Sequence, residues 1–289
     1  MLLVCSGSVS AADVRFEVSG ISDPLLANVL GHVSAFSLRR RSDISKNDYD
    51  DVVADAISKA KVALRPFGYY RPTVIGSIAA RGEDDVLVQL KIIAGPPVLV
   101  DQVTLQVVGE GANRPSLRAW RDSWPLTKGQ VLDQTIWEDR KRHALENLAA
   151  IGYLAAAYTE RRVELDLETN RANLVLTLDT GKRFSFGQID YGEHVLRPGI
   201  VEAIPRFRTG DPYSATLLDK FRLDLRKTGY FTEVIVEEIP RPDQESPVVN
   251  LNVRFETATR NTYQGSIGYG SDTSARLQAQ WSRHPMSSY

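Results

Sequence analysis

Cysteine occurs once in this 289-residue chain, at Cys5, which excludes an internal disulfide, a zinc cluster and a CxxC redox pair. Histidine is almost as scarce. His32, His143, His194 and His284 are scattered without HxxxH or HExxH spacing, so no metal centre is expected. Neither sign of charge dominates: 35 Lys and Arg stand against 36 Asp and Glu, a formal net charge of -1 that argues against a dedicated nucleic-acid binder. Long hydrophobic runs are missing too. The longest uncharged apolar stretch, Leu148 to Tyr158, is interrupted by Gly152 and falls far short of the ~20 residues a membrane helix needs. A β-barrel escapes that test, because its strands only alternate. No serine stands in GxSxG, and Gly109-Glu110-Gly111-Ala112-Asn113-Arg114 lacks the third glycine of a dinucleotide turn and reads as a plain loop. Neither a catalytic apparatus nor a cofactor site is expected. With 43% hydrophobic and 25% charged residues the chain is nonetheless ordinary folded protein rather than a disordered one.

Met1-Leu2-Leu3-Val4, followed by the small residues before Asp13, resembles the last part of a secretory signal peptide, so residues 1–12 read as a signal remnant and export is expected. Val4 is too large for the position before a lipidated cysteine, so Cys5 reads as a discarded signal residue. Arg39-Arg40-Arg41 is the sharpest basic run and reads as a solvated loop; Asp84-Asp85 and Glu237-Glu238 read as solvated strand ends.

What the chain does have is repetition. A helical stretch ends three times in Leu-x-x-x-Gly-Tyr: Leu64 to Gly68-Tyr69, Leu148 to Gly152-Tyr153, and Leu225 to Gly229-Tyr230. The glycines lie 84 and 77 residues apart, the size of a small domain rather than of a solenoid repeat. Around each copy the periodicity runs in the same order. In the first, Val14, Phe16 and Val18 alternate with polar residues, a short helix spans Pro24–Val33, and a longer one carries Tyr49, Val52, Ala56, Ile57, Ala60, Ala63 and Leu64 as an apolar stripe capped by Asn47 or Asp48. Gly68 then supplies the left-handed stop, a β-segment runs from Tyr69 to Ala80, the chain turns at Arg81-Gly82-Glu83-Asp84, and the last strand sets Val86, Val88, Leu90 and Ile92 on one face. The second repeats this with Val103, Leu105 and Val107, a helix at Pro115–Ser123, a long helix through Ile136, Trp137, Ala144 and Leu148, and a final strand bearing Leu174, Leu176 and Leu178. Trp120, Trp124 and Trp137 are expected in its core. The third has Phe184, Phe186 and Ile189, a short helix opened by Pro198, a long helix through Leu217, Leu218, Phe221 and Leu225, and a closing strand with Val249, Leu251, Val253 and Phe255 on one face. The order β-α-α-β-β three times makes an α+β protein of three tandem modules, each a sheet with one face under its helices. Gly95-Pro96-Pro97-Val98 parallels Gly181-Lys182-Arg183-Phe184, so the linkers are short and a semi-rigid arm is expected.

From Arg260 the pattern changes. Tyr263, Gly265, Ile267 and Tyr269 alternate with small or polar residues, Ser271-Asp272-Thr273 forms a turn, and Ala275, Leu277, Ala279 and Trp281 alternate again. Two such strands fit the first hairpin of a transmembrane barrel and equally an ordinary soluble hairpin.

These residues together resemble the POTRA-domain family: repeated β-α-α-β-β units with Gly-Tyr closing the long helix, Gly210-Asp211-Pro212-Tyr213 before it, and a glycine-rich Tyr/Ile strand after the last unit. Three units directly before a barrel resemble the TamA-like branch of the BamA superfamily. The resemblance implies modules at 13–95, 96–181 and 182–259, with the start of an outer-membrane barrel at 260–289. It implies a periplasmic arm of an outer-membrane assembly factor that helps insert or secrete autotransporters and other outer-membrane proteins. The alternatives are a two-partner secretion transporter or a soluble periplasmic scaffold. An inner-membrane-anchored, TamB-like partner would dock on the first module, unfolded outer-membrane proteins would be the clients, and outer-membrane lipid would surround the barrel. Arg71, Thr73 and Val74 would lie on a strand edge open to partner or client. Tyr263, Gly265, Ile267 and Tyr269 would form the first barrel strand, its glycines weakening its own pairing. Gly68, Tyr69, Gly152, Tyr153, Gly229 and Tyr230 would be structural.

Overall fold

The computed structural model describes residues 13–37, 49–81, 85–193, 199–243, 245–257, 261–270 and 274–283. The signal remnant with Cys5, Asn47, Asp48, the arginine run at 39–41, the Gly82-Glu83-Asp84 part of the first turn, His194, Pro198, His284 and the turn at 271–273 lie outside them.

The elements run β1 (Asp13–Ser19), α1 (Leu25–Ser37), α2 (Tyr49–Leu64), β2 (Thr73–Arg81), β3 (Asp85–Ile93), β4 (Leu99–Val108), α3 (Pro115–Asp122), α4 (Gln134–Ala150), β5 (Ala157–Asp166), β6 (Arg171–Asp179), β7 (Ser185–Asp190), α5 (Ala215–Lys227), β8 (Phe231–Arg241), β9 (Val248–Thr257), β10 (Asn261–Gly270) and β11 (Ser274–Arg283). Three sheets share one plan, with the last strand of each repeat in the middle: β1-β3-β2, β4-β6-β5 and β7-β9-β8. In the first and third, the opening strand pairs parallel to the central one and the middle strand of the sequence pairs antiparallel to it. The parallel pairing needs the helices as its crossover, which is why they lie between the first and second strands in sequence. β10 and β11 form a separate antiparallel hairpin, Asn261 opposite Arg283 and Gly270 opposite Ser274.

The chain divides into two compact units. The first runs as far as Gln106 and adds Ala119–Arg142 and Glu160–Thr177; the second takes Val107–Arg118, His143–Thr159 and the chain from Leu178 onward. The middle repeat contributes residues to both. In the first unit, Val29 and Val33 of α1, Val52, Ala56, Ala60, Ala63 and Leu64 of α2, and Val86, Val88, Leu90 and Ile92 of β3 bury one core. The alanines at 56, 60 and 63 let α2 lie close against the sheet, and Gly76 completes the fit: a Cβ there would sit 2.8 Å from the Val53 side chain. Trp124 stands edge-on to Trp120 (5.2 Å between centroids) and to Trp137 (5.6 Å). Trp120 is only half-buried, because its indole N–H reaches out to donate to the Arg140 carbonyl. In the second unit the core is aromatic: Phe186 stacks on Phe207 at 3.7 Å, and Phe221 meets Phe207 edge-on.

Four expectations need correction. The short helix of the third repeat is, among the described residues, only a 3-10 turn at Val201–Ala203. The β-segment after Gly68 starts at Thr73 rather than Tyr69, because residues 69–72 still serve the turn. Ile136 is 36% exposed, off the buried stripe carried by Trp137, Ala144 and Leu148. Glu237 and Glu238 lie inside β8 rather than at a strand end. The step from Phe186 to Ile189 breaks a period of two, and the structure accounts for it. The register against β9 slips there, and the Asn250 side chain accepts the Gln188 amide at 2.9 Å, which returns Ile189 to the core face.

Candidate functional site

The repeated Leu-x-x-x-Gly-Tyr is a helix stop of one chemical design. Gly68, Gly152 and Gly229 have φ of 85°, 99° and 72°, the left-handed region that costs glycine least. In the first two copies the tyrosine amide reaches back to the motif leucine carbonyl, Tyr69 to Leu64 at 3.3 Å and Tyr153 to Leu148 at 2.9 Å, the closure expected when the residue after a helix turns left-handed. The leucines are buried, so the stop is anchored in the core.

Two of the copies also build joints. The Val98 amide donates to the Gly68 carbonyl at 2.8 Å, and the Leu132 amide donates to the Val98 carbonyl at 2.9 Å. In the second unit the Phe184 amide donates to Gly152 at 2.8 Å and the Tyr213 amide to Phe184 at 3.0 Å, the same relay. A Cβ on Gly68 would come within 2.7 Å of the Leu132 carbonyl oxygen, and one on Gly152 within 3.0 Å of the Tyr213 oxygen. On Gly229 it would meet nothing within 4 Å. The first two glycines are therefore contact surfaces for the next repeat.

The tyrosines differ in their surroundings. Tyr153 is buried, its hydroxyl accepts from Arg114 Nε at 2.9 Å, and the Arg114 guanidinium lies 5.1 Å from the ring centre. Tyr69 and Tyr230 are half-buried. In the third repeat Tyr213 donates to Glu238 at 2.6 Å, Arg222 donates to the same carboxylate at 3.0 Å, and burial together with Glu238 pushes the Tyr213 hydroxyl well above its ordinary range. Sequence periodicity could not find this network, since Glu238 looked like a solvated end.

An open strand edge is the other feature able to engage a partner. β2 is an outer strand of its sheet and carries Thr73 and Val74, with Arg71 just before it. Val74 points into the core, so at that position only backbone is offered outward. The solvent face beside this edge carries Ile75 and Ile93, each 56% exposed. The other edge, β1, turns Arg15, Glu17 and Ser19 outward instead. Tyr263, Gly265, Ile267 and Tyr269 fall on β10. Among the described residues no group of His, Cys, Asp and Glu could hold a metal ion, and no helix is long and apolar enough to cross a membrane, which says nothing of strands.

Comparison with known families identifies the first repeat. Residues 15–93 match the family model described as POTRA domain TamA domain 1. Residues 15–93 are thus similar to a POTRA domain. The matched stretch holds most of β1, all of β2 and β3 and every buried residue of the first core except Val14, and the two later repeats have its strand order. Among solved structures the chain is similar to POTRA3-5 of BamA from Haemophilus influenzae (15% identity, 88% of this chain and 99% of that one, TM-score 0.48). It is also similar to BamA from Haemophilus ducreyi lacking POTRA domains 1-3 (16%, 63% and 34%, TM-score 0.47) and to CdiB from Escherichia coli (16%, 82% and 41%, TM-score 0.34). The chain thus spans well under half the length of the last two. Within the three repeats, the loop residues that sequence reasoning missed are Arg114 and the Gly129–Leu132 segment. Both lie in loops whose partners are distant in sequence.

Proposed function

We propose that this chain is the periplasmic arm of an outer-membrane protein that assembles or secretes other outer-membrane proteins, autotransporters among them, and that it works without catalysis. The single observation that carries this is the unpaired edge of β2 in the module that matches TamA domain 1. A strand edge presents a row of backbone N–H and C=O groups to an extended segment, and main-chain hydrogen bonds bind without demanding one sequence. Such a surface suits many unfolded clients better than a pocket would. The exposed Ile75 and Ile93 favour β2 over β1, because an added strand with alternating apolar residues would cover them. The TamB-like partner is assigned to this first module, with Arg71, Thr73 and Val74 at the edge it meets. The modules are taken as 13–95, 96–181 and 182–259, after the signal remnant at 1–12. The hairpin β10–β11, ten residues per strand, has the length that tilted barrel strands require and is read as the start of the barrel at 260–289.

The test is genetic and biochemical. Cells making the full-length protein without residues 13–95 are expected to accumulate outer-membrane proteins that have lost the heat-modifiable mobility of folded barrels, with the deleted protein still in the outer-membrane fraction. Normal barrel folding in those cells, or recovery of the intact protein from the cytosol, would refute the proposal.

A further inference from the structure

The two joints repeat one hydrogen-bond relay but are closed differently. At the second, Arg114 lies over the motif tyrosine Tyr153, and Arg183 Nε donates to the Ile151 carbonyl at 2.9 Å. Arg114 is the residue before the proline that opens the first helix of its repeat, and Arg183 is the residue before the relay residue Phe184. In the first unit the residues at the same two places are Asp23, before Pro24, and Pro97, before Val98. Neither supplies a cation, and no described cation lies over Tyr69. Asp23 and Tyr69 instead line a cleft of about 530 Å³. Its apolar walls include Leu25, Phe67, Tyr69, Val131 and Ile136, and the last two are exposed by 37% and 36%. Among the described residues, Asp23 and Asp133 are its charged ones, and no lysine or arginine lines it. Asp133 is already engaged at the start of α4, where its Oδ1 accepts the Thr135 amide at 2.8 Å and the Ile136 amide at 3.2 Å. Asp23 is therefore the carboxylate that faces an incoming ligand.

We propose that this cleft docks an arginine-bearing segment of a partner protein. The partner's guanidinium lies over Tyr69 and pairs with Asp23, and a neighbouring apolar side chain enters between Leu25, Phe67 and Ile136. The partner supplies in trans what Arg114 supplies within the chain at the second joint. The occupant is fixed by charge: an apolar cleft with two carboxylates and no base selects a cation flanked by apolar residues over an anion or a neutral strand. The site is separate from the β2 edge and adds a side-chain requirement to backbone pairing that has none. It rests on reading the first module as a partner-binding module.

The test uses the full 289-residue chain and fluorescein-labelled Gly-Leu-Arg-Phe-Gly peptides read by anisotropy, with citrulline or glutamate replacing arginine in parallel. The arginine peptide is expected to bind, and the citrulline form to bind about tenfold more weakly or worse, the scale of one charge-assisted contact. Asp23→Arg, which places a cation of the chain's own over Tyr69, and Ile136→Glu are each expected to weaken binding by a similar factor. Leu223→Glu, on the exposed face of α5 and outside both surfaces, leaves it unchanged. Asp23→Asn, isosteric and exposed, gives the same loss and keeps the test valid if another variant folds poorly. Equal binding of the citrulline peptide, no binding by any peptide, insensitivity to Asp23→Asn, or detergent displacing arginine and citrulline forms alike would overturn the proposal. None of these outcomes touches barrel folding in cells, so the two readings fail separately.

Discussion

Alanine at each of the three motif glycines separates their shared role from their different ones. At Gly229 the cost is backbone strain alone. Its φ of 72° is left-handed and a Cβ meets nothing within 4 Å, so Gly229→Ala should cost about 1–2 kcal/mol. At Gly68 the same strain recurs at φ 85°, and the new Cβ lies 2.7 Å from the Leu132 carbonyl oxygen, a backbone atom that cannot swing aside. Relief requires the segment at Leu132 to retreat, which loosens the Val98-to-Gly68 and Leu132-to-Val98 hydrogen bonds of 2.8 and 2.9 Å. Each is worth about 0.5–1.5 kcal/mol, so Gly68→Ala should total about 2–5 kcal/mol. Gly152→Ala, with its nearest contact at 3.0 Å, should fall between the two. Urea unfolding followed by circular dichroism gives the order, and amide exchange gives the place. Val98 should lose protection in Gly68→Ala and Phe184 in Gly152→Ala, with both unchanged in Gly229→Ala. Equal destabilisation at all three positions, or an unaltered Val98 amide in Gly68→Ala, would refute the joint role.

Other outcomes follow from the same geometry. Arg114→Leu removes both the hydrogen bond and the guanidinium over Tyr153 and should destabilise the chain by about 1–2 kcal/mol, with Tyr153→Phe losing about half of that, both read by urea midpoints. Phe186→Ala empties a fully buried site stacked on Phe207 and should cost about 3–5 kcal/mol; a loss under about 1 kcal/mol would mean the aromatic core of the second unit is not packed as described. Tyr191 is pushed up to about 12, first by burial and then by Glu202, and Tyr213 is pushed up by burial and by Glu238. Both are raised, so the stability they contribute is complete below the ordinary tyrosine value of 10 and is lost as pH rises from there through their raised values, about 12 for Tyr191. Burial raises Tyr70 as well, so ultraviolet titration should show late ionisation of Tyr70, Tyr191 and Tyr213, with one late step absent in Tyr213→Phe. Ionisation of every tyrosine together near 10 in the folded chain would contradict this.

Much of this architecture was legible because it is periodic. Val86, Val88, Leu90 and Ile92 announce a one-sided strand, and the structure buries all four. Leu148 followed by Gly152-Tyr153 announces a helix stop, since only a left-handed residue lets the tyrosine amide turn back on the leucine carbonyl. What periodicity cannot carry is contact between segments far apart in the chain. Nothing in the alternation of β8 shows that Glu238 meets Tyr213 and Arg222, and nothing in a loop shows that Arg114 covers Tyr153 while Asp23 stands at the matching place. Ile136 misleads for a related reason: it has the spacing of a core residue, but the face it occupies opens onto the cleft. The two joints share one hydrogen-bond relay and differ in the residues set around it.

Pairing of β2 of the first module with an extended segment of another envelope protein is best tested by photo-crosslinking in living cells that make the full-length protein. A photoreactive residue placed at Thr73 or Ile75, beside the open edge, is predicted to give adducts whose partner peptides are short alternating strands of outer-membrane or membrane-anchored proteins. The same residue at Arg15 or Glu17 on β1 should give none. Adducts of equal yield from both edges, or no envelope protein joined at Thr73 and Ile75, would contradict the account.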